Sequence, residues 1–250
     1  MKKVLLFFLL FFLPLTAFSK EKKTSRYITN IGSANFCNLL NQNSQSAFVN
    51  LRLGMRKLAI NTIIYNKKGK IVRAKDLAYI YTAIYLDNLK VKIRVSSVYG
   101  KTKADSEAKR YAIMFGQLPN FVRKNIKTIT IHEKGGRGWF ISGGRSIFVF
   151  NNVFQKSCFE EVMFHEAAHS LDYKINRTKW KNAQKYDRFN FITSYALSQP
   201  DREDIAETVM YWYAVRHRPG TLSAETRNEI LKRLRGRLKL LDQQRYNMFP

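Results

Sequence analysis

Alternation of apolar and polar positions predicts strands in two separate parts of the chain. Every second residue between positions 89 and 95 is apolar and the residues between them are basic, which is typical of a half-exposed strand. The segment KTITIHE alternates in the same way over residues 126–131. After a glycine-rich turn, GWFISGGRSIFVFNN predicts two further strand pieces that are separated at Gly143 and Gly144.

Apolar residues at helical spacing predict the first helix, in KADSEAKRYAIMFGQL. A second helix is predicted by the capping box of Ser157 and Glu160. The serine hydroxyl in such a box accepts a hydrogen bond from a free amide of the first turn, and the glutamate carboxylate accepts one from the serine amide. We therefore expect a helix that begins near Cys158 and ends at about Tyr173.

Two more helices are predicted towards the carboxyl end of the chain. Ser198 and Asp201 have cap-like spacing, and Pro200 would lie in the first turn, where its missing N–H costs nothing. This helix should end at RHRPG, and the basic amphipathic segment ETRNEILKRLRGRLKLLDQQ should form the last one. The order of strand, helix, two strands and three helices predicts the α+β class.

The amino terminus, MKKVLLFFLLFFLPLTAFSK, has two lysines, an apolar run, a proline and small residues. This order is typical of a secretory signal that is cleaved after Ser19, whereas a retained anchor would need a longer run without Pro14. We expect a signal peptide at residues 1–19 and an exported protein, either periplasmic or secreted. The rest of the chain is expected to form an N-terminal extension at residues 20–88 and a main domain at residues 89–250.

Basic residues greatly outnumber acidic ones, 44 against 18, and the formal net charge is +26. Removal of the signal, which holds two lysines and no acid, leaves +24. Such an excess attracts polyanions. For an exported protein it favours anionic envelope lipids, wall polymers or acidic protein substrates over nucleic acid. Because the basic residues are dispersed, a generally basic surface without a specific partner is the alternative.

The chain has two cysteines, Cys37 and Cys158. In an oxidising compartment they could form one disulfide between the N-terminal segment and the start of the second helix. Two buried free thiols are equally compatible with the sequence, because spacing alone gives no geometry.

The segment CFEEVMFHEAAHSLDY places two of the four histidines one helical turn apart. His165 and His169 would point the same way from a helix, so they can offer two imidazoles to one ion. Glu166 would lie about 100° round the helix, where it can reach a metal-bound water without binding the metal. Zinc with three protein ligands lowers the pKa of such a water to roughly 7. The pattern predicts half of a zinc site, and the alternative is a buried helix with two incidental histidines.

A third ligand must come from elsewhere in the chain. The metzincin arrangement, in which a third histidine follows a glycine, is excluded, because Asp172 and Ile175 stand where that glycine and histidine would be required. The later helix carries Glu203 and Glu207 one turn apart. We predict Glu203 as the ligand and Glu207 as the acceptor of a hydrogen bond from a ligand histidine. Reversed roles, Asp172 as the ligand, and two solvated acids on a helix face are the open alternatives.

HEAAHSLDY, followed by SYALSQPDREDIAETV, is similar to the zinc peptidases related to anthrax lethal factor and the Pro-Pro endopeptidases. The active helix of that family reads His-Glu-x-x-His-x-x-Asp, and its third ligand opens a Glu-x-x-Ala-Glu stretch, as Glu203 does here. The resemblance covers about residues 105–215. It implies a zincin-like metallopeptidase domain of the gluzincin type, with a small mixed sheet, an active-site helix, a glutamate-ligand helix and zinc as the cofactor.

The resemblance also implies a role for Tyr195. In that family a tyrosine just upstream of the ligand glutamate stabilises the oxyanion of the reaction. Tyr195 lies eight residues before Glu203, one more than the family usually has, and we predict this role for it. A core aromatic residue is the alternative.

GGRSIFVF, just before the active helix, resembles the edge strand on which zincins hold their substrate by backbone pairing. We expect His132, at the end of a strand, and His217, at a helix end, to be structural or surface residues.

These residues together predict an exported zinc-dependent endopeptidase, a hydrolase of peptide bonds. His165, His169 and Glu203 would hold the zinc, and Glu166 would activate the attacking water. The two alternatives are a zinc-dependent amidase that acts on wall peptides and a non-catalytic basic protein that binds the envelope. We expect a monomer whose substrate is a protein or peptide, with acidic substrates favoured by the charge of the chain.

Overall fold

The computed structural model describes residues 25–29, 36–37, 39–40, 43–66, 68, 70–133, 140–150, 158–172 and 174–250. The predicted signal peptide and the predicted cap residue Ser157 lie outside these residues. Within them, eight helices and two sheets confirm the predicted α+β class. None of the described helices combines the length and the hydrophobicity that a membrane crossing requires.

The main sheet contains six strands, and their pairing makes it mixed. The strands are β2 (Phe48–Tyr65), β3 (Ile71–Tyr85), β4 (Lys90–Ser96), β5 (Thr128–His132), β6 (Phe140–Gly143) and β7 (Ser146–Phe150). Their spatial order is β2-β3-β4-β5-β7-β6, with β4–β5 and β5–β7 parallel and the other three pairs antiparallel. A second sheet pairs β1 (Tyr27–Thr29) with β8 (Phe191–Thr193) in parallel.

Eight helices accompany these sheets. They are α1 (Lys101–Gly116), α2 (Asn120–Arg123), α3 (Phe159–Ala168), α4 (Arg177–Tyr186), α5 (Ser194–Ser198), α6 (Asp204–His217), α7 (Ala224–Arg233) and α8 (Arg235–Asp242). Alternate residues of β4, β5 and β7 are fully buried, as expected for strands with one face against the core. The apolar face predicted for the first helix is the buried face of α1, with Ala104, Ala108, Tyr111, Ala112 and Phe115.

Two positions in the sheet differ from what the sequence suggests. GGRSIFVF contains β7, which lies between β5 and β6, so the prediction that it forms the edge strand is wrong. Strand β6 forms that edge. The predicted boundary between the N-terminal extension and the main domain, at residues 88 and 89, falls at the end of the turn that joins β3 to β4. These two strands pair with each other from Ala78–Ser96 to Ile84–Lys90. Residues 48–85 thus supply two of the six strands of the main sheet.

The helix that carries Glu203 begins later than predicted. The Ser198 hydroxyl does not cap it, because this hydroxyl donates a hydrogen bond to the carbonyl of Tyr195 within α5. The backbone turns again at residues 199–203, and α6 starts at Asp204 with Glu203 in the cap position. Its predicted end is confirmed, because α6 ends at His217.

The helix expected at the carboxyl end is divided into α7 and α8 at Leu234. The reason is that Asp187, which lies elsewhere in the chain, caps the start of α8. Its carboxylate accepts hydrogen bonds from the amides of Gly236, at 2.7 Å, and Arg237, at 3.2 Å. These amides begin α8 and have no partner within it. The buried side chain of Leu234 holds the junction against the core.

Helix α3 is attached to the N-terminal segment at its start. It begins at Phe159, and Cys158 forms a disulfide with Cys37, with 4.7 Å between their Cα atoms. The disulfide interpretation of the two cysteines is therefore the one that the structure shows. The buried Glu161 adds a second link, because its Oε1 accepts hydrogen bonds from the amides of Leu39, at 2.8 Å, and Leu40, at 3.0 Å.

Replacing Cys37 and Cys158 together by alanine should lower the free energy of unfolding by about 2–5 kcal/mol. The reason is that the bond joins residues 121 positions apart and restricts the unfolded chain. Urea denaturation of the two proteins without reductant measures the difference. Reductant should weaken the wild type to the level of the variant and leave the variant unchanged. Equal stability of both proteins in oxidising buffer would contradict the expectation.

Candidate metal centre

Helices α3 and α6 bring the predicted metal ligands together. The Phe164 ring of α3 packs edge-on against the Tyr213 ring of α6, with 5.3 Å between their centroids. His165 lies on α3, His169 opens the 3-10 turn that continues it, and Glu203 occupies the cap position of α6. The 34-residue connection includes α4, β8 and α5, and it returns the chain to the same point.

One oxygen atom of Glu203 serves both histidines. Its Oε2 lies 3.1 Å from Nε2 of His165 and 3.1 Å from Nε2 of His169. The three candidate ligand atoms all lie within 4.8 Å of one another. Donors bound tetrahedrally to zinc at about 2.0–2.1 Å would be separated by about 3.3 Å. These three side chains therefore fit a small cation between them without large movement.

The other nitrogen of each histidine faces a different carboxylate. Nδ1 of His165 lies 3.0 Å from Oε1 of the fully buried Glu207, and Nδ1 of His169 lies 3.6 Å from Oδ2 of Asp172. A proton on Nδ1 that is donated to a carboxylate leaves the Nε2 lone pair for a metal. Glu207 and Asp172 thus lie on the outer side of the imidazoles, and Glu203 lies between them.

Charges at this point favour a cation. Burial lowers the pKa of His165, but hydrogen bonds to Glu203 and Glu207 outweigh burial and raise this pKa to about 10. Burial raises the pKa of Glu203, but hydrogen bonds to both histidines and their charges hold this pKa well below its usual range. The exposed Arg202 also lies 3.1 Å from the other oxygen of Glu203. The carboxylates around the imidazoles therefore stabilise positive charge where the three ligand atoms meet.

The charge of Glu166, which is partly exposed on α3, acts on two tyrosines. Tyr195 lies on α5, and its ring centroid is 6.3 Å from that of His165. Burial raises the pKa of Tyr195, and so do the charge of Glu203, a hydrogen bond to it and the charge of Glu166. Burial also raises the pKa of Tyr65, the last residue of β2, with a further contribution from the charge of Glu166.

A buried ionic network fixes the residue next to Glu203. Oδ1 of Asp204 accepts hydrogen bonds from Arg237, at 2.5 Å, and Thr208, at 3.2 Å. Its Oδ2 accepts from the indole of Trp180, at 2.9 Å, and from Gln184, at 2.8 Å. Arg237 also binds Asp187 at 2.9 Å and donates to the carbonyl of Asn190. Helices α4 and α8 are thereby attached to the first residue of α6.

The structure brings together His165, His169 and Glu203, and it places Glu207, Glu166 and Tyr195 around them. Sequence reasoning missed Arg202, Asp204 and Arg237. Arg202 and Asp204 flank Glu203 in the chain, and this position is the only feature of the sequence that could have indicated their importance. Nothing in the sequence singles out Arg237, because it is one of 44 basic residues and its partners Asp204 and Asp187 are 33 and 50 positions away.

No protein-family model matches the chain, and neither the curated proteins nor the solved structures contain a significant match. The chemistry of the site is therefore inferred from its own residues.

Replacing Arg237 by methionine should lower the free energy of unfolding by about 3–5 kcal/mol, because two buried carboxylates lose their counter-charge. The matched control is Arg216→Met, which breaks the pair with Asp242 between the same two helices at a solvent-exposed place. This control should cost no more than about 1 kcal/mol. Urea denaturation measures both values. Equal losses in the two variants would show that Arg237 contributes no more than a surface ion pair.

Proposed function

We propose that the chain is an exported, zinc-dependent endopeptidase with a zincin-like fold. The observation that carries this proposal is the distance of 3.1 Å from one Glu203 oxygen to Nε2 of both His165 and His169. Two histidines and one glutamate form a ligand set of catalytic zinc, which leaves a fourth position for water or substrate. The similarity of HEAAHSLDY to the lethal factor-related peptidases adds support. Export is supported by the disulfide, since such bonds persist in oxidising compartments.

Each residue has a separate part in the proposed hydrolysis. Zinc held by His165, His169 and Glu203 would lower the pKa of a coordinated water to about 7 and polarise the scissile carbonyl. Glu166 accepts the proton of the attacking water and passes it to the departing amine nitrogen. The Tyr195 hydroxyl donates a hydrogen bond to the carbonyl oxygen as negative charge develops there. Its raised pKa keeps this hydroxyl protonated at neutral pH.

Glu207 and Asp172 keep the two imidazoles in position. A carboxylate that accepts the Nδ1 proton fixes both the tautomer and the ring orientation. Glu207 is fully buried and close to its histidine, whereas Asp172 is partly shared with Arg177, at 3.6 Å. Glu207 should therefore have the larger effect on metal affinity.

The wild type should bind about one zinc ion per chain after removal of metal with a chelator and titration with zinc. Glu203→Gln should lose this binding. Glu207→Gln should keep the stoichiometry with an affinity reduced about 10- to 100-fold, because a histidine loses its buried acceptor. Elemental analysis gives the stoichiometry, and competition with a metal-binding dye gives the affinity.

Asp201→Asn is the control for this experiment, because Asp201 is a strongly exposed acid two residues before Glu203. It should bind zinc as the wild type does. Equal retention of zinc by Glu203→Gln and Glu207→Gln would contradict the assignment of Glu203 as the third ligand.

Glu166→Gln should reduce kcat/KM for peptide hydrolysis about 10²- to 10⁴-fold, because the proton acceptor is lost. Tyr195→Phe should reduce kcat about 10²- to 10³-fold with little change in KM, because its hydrogen bond forms in the transition state. Both variants should bind zinc normally. Tyr186→Phe, at a more exposed tyrosine on α4, is the control.

Casein and purified peptidoglycan are the substrates for these variants. Hydrolysis of peptidoglycan alone would identify an amidase of wall peptides. Wild-type behaviour of Glu166→Gln on both substrates, with zinc bound, would exclude catalysis by this site and favour a binding protein.

A further inference from the structure

The long hairpin of β2 and β3 is bent, and its outer half forms a basic arm. Two irregularities in the β2–β3 register lie between Leu53 and Leu58, and such bulges bend a strand pair. We define the arm as residues 58–78, from the pair Leu58–Ala78 to the turn between the strands. It contains five basic residues and one acid, Asp76.

Contacts with the ends of β5 and β7 hold the arm in place. The Thr62 hydroxyl lies 2.9 Å from Nε2 of His132, and Asp76 lies 3.5 Å from Nδ1 of the same ring. The Tyr65 ring packs edge-on against Phe150, with 5.1 Å between their centroids. His132 is therefore structural, as expected. Asp76, the acid of the arm, lies at this ring.

Arg73 and Lys75 are exposed on β3. Among the described residues, no carboxylate forms an ion pair with either of them. They are two positions apart on one strand, so they share a face and are separated by about 7 Å. Alternate side chains of an extended peptide have the same spacing. Their arrangement therefore matches two acidic residues at alternate positions of an extended polypeptide.

These cations line a cavity of about 640 Å³ between the arm and β7, together with Asn61, Thr62, Ile63, Ala74 and Phe148. The amide of Asn61 adds a hydrogen-bond donor, and Phe148 adds an apolar surface. The two cations make the cavity complementary to an anionic group, and the guanidinium of Arg73 can bind a carboxylate with two parallel hydrogen bonds.

The cavity lies next to the contact between the end of the arm and the end of β7. Ile63 and Phe148 are each two residues, or about 7 Å, from Tyr65 and Phe150, the pair at the end of the arm. The charge of Glu166 in turn raises the pKa of Tyr65.

We propose that this cavity binds an acidic segment of the polypeptide substrate, with Arg73 and Lys75 holding side-chain carboxylates a few residues from the cleaved bond. This inference rests on the proposed peptidase function and names its substrate class. The carboxylates are expected at alternate positions, because the two cations are spaced in that way.

The test uses two fluorescent peptides that differ only in glutamate or glutamine at alternate positions. Their affinities are measured by anisotropy on the Glu166→Gln protein, so that binding is observed without cleavage. The Glu peptide should bind about tenfold more weakly when Arg73→Gln and Lys75→Gln are added, and the Gln peptide should be unaffected. The same pair of substitutions in the active protein should lower kcat/KM for the Glu peptide to a similar extent, mainly through KM.

The matched control is the pair Lys90→Gln and Lys92→Gln, two exposed lysines at the same spacing on β4. It should leave both affinities unchanged. Equal weakening by the control pair, or equal weakening for both peptides, would overturn the proposal. So would binding to vesicles of anionic lipid that depends on Arg73 and Lys75 while peptide binding does not.

The experiments distinguish failure of the cavity proposal from failure of the proposed peptidase function. Suppose that Glu166→Gln abolishes cleavage, but that Arg73→Gln and Lys75→Gln do not change the difference between the Glu and Gln peptides. In that case only the cavity proposal fails. If Glu166→Gln cleaves as the wild type does, the peptidase assignment fails, and with it this proposal.

Discussion

The position of Glu203 depends on the buried carboxylate that follows it in the chain. Asp204 accepts hydrogen bonds from two other helices, α4 and α8, and its charged partner is the fully buried Arg237 of α8. A charged pair of this kind is costly to bury, so the surrounding donors must all be in place for it to form. The start of α6 is therefore fixed by side chains rather than by a local cap. This gives the glutamate that faces both histidines one well-defined place.

The histidines are fixed by an independent set of contacts. Helix α3 is joined to the N-terminal segment by the disulfide and by Glu161, which lies one turn before His165. The Phe36 ring stacks on Tyr211 of α6, with 4.7 Å between centroids, so the same segment also contacts the helix that follows Glu203. The two ligand-bearing helices are thus held at both sides of the site, which is what a preorganised catalytic constellation needs.

Local periodicity predicted a large part of this arrangement, and non-local pairing supplied the rest. One-turn spacing was enough to place His165 beside His169 and Glu203 near Glu207, because a helix fixes these relations by itself. The predicted start of α6 was wrong, because the Ser198 hydroxyl donates a hydrogen bond to the carbonyl of Tyr195 in α5 and does not cap α6. Arg237 could not be found, because charge counts do not separate a buried arginine from exposed ones. The basic arm was visible only as composition until its register and attachment were known.

The disulfide has a consequence for the connectivity of the chain. Cys37 precedes all six strands of the main sheet and Cys158 follows them, so the whole sheet lies within one covalent ring. Helices α3 to α8 lie outside this ring. The sequence between β2 and β3 is rich in lysine, and a trypsin-like enzyme cuts after lysine. A cut there opens the ring but leaves the molecule in one covalent piece, and its two fragments can separate only after reduction.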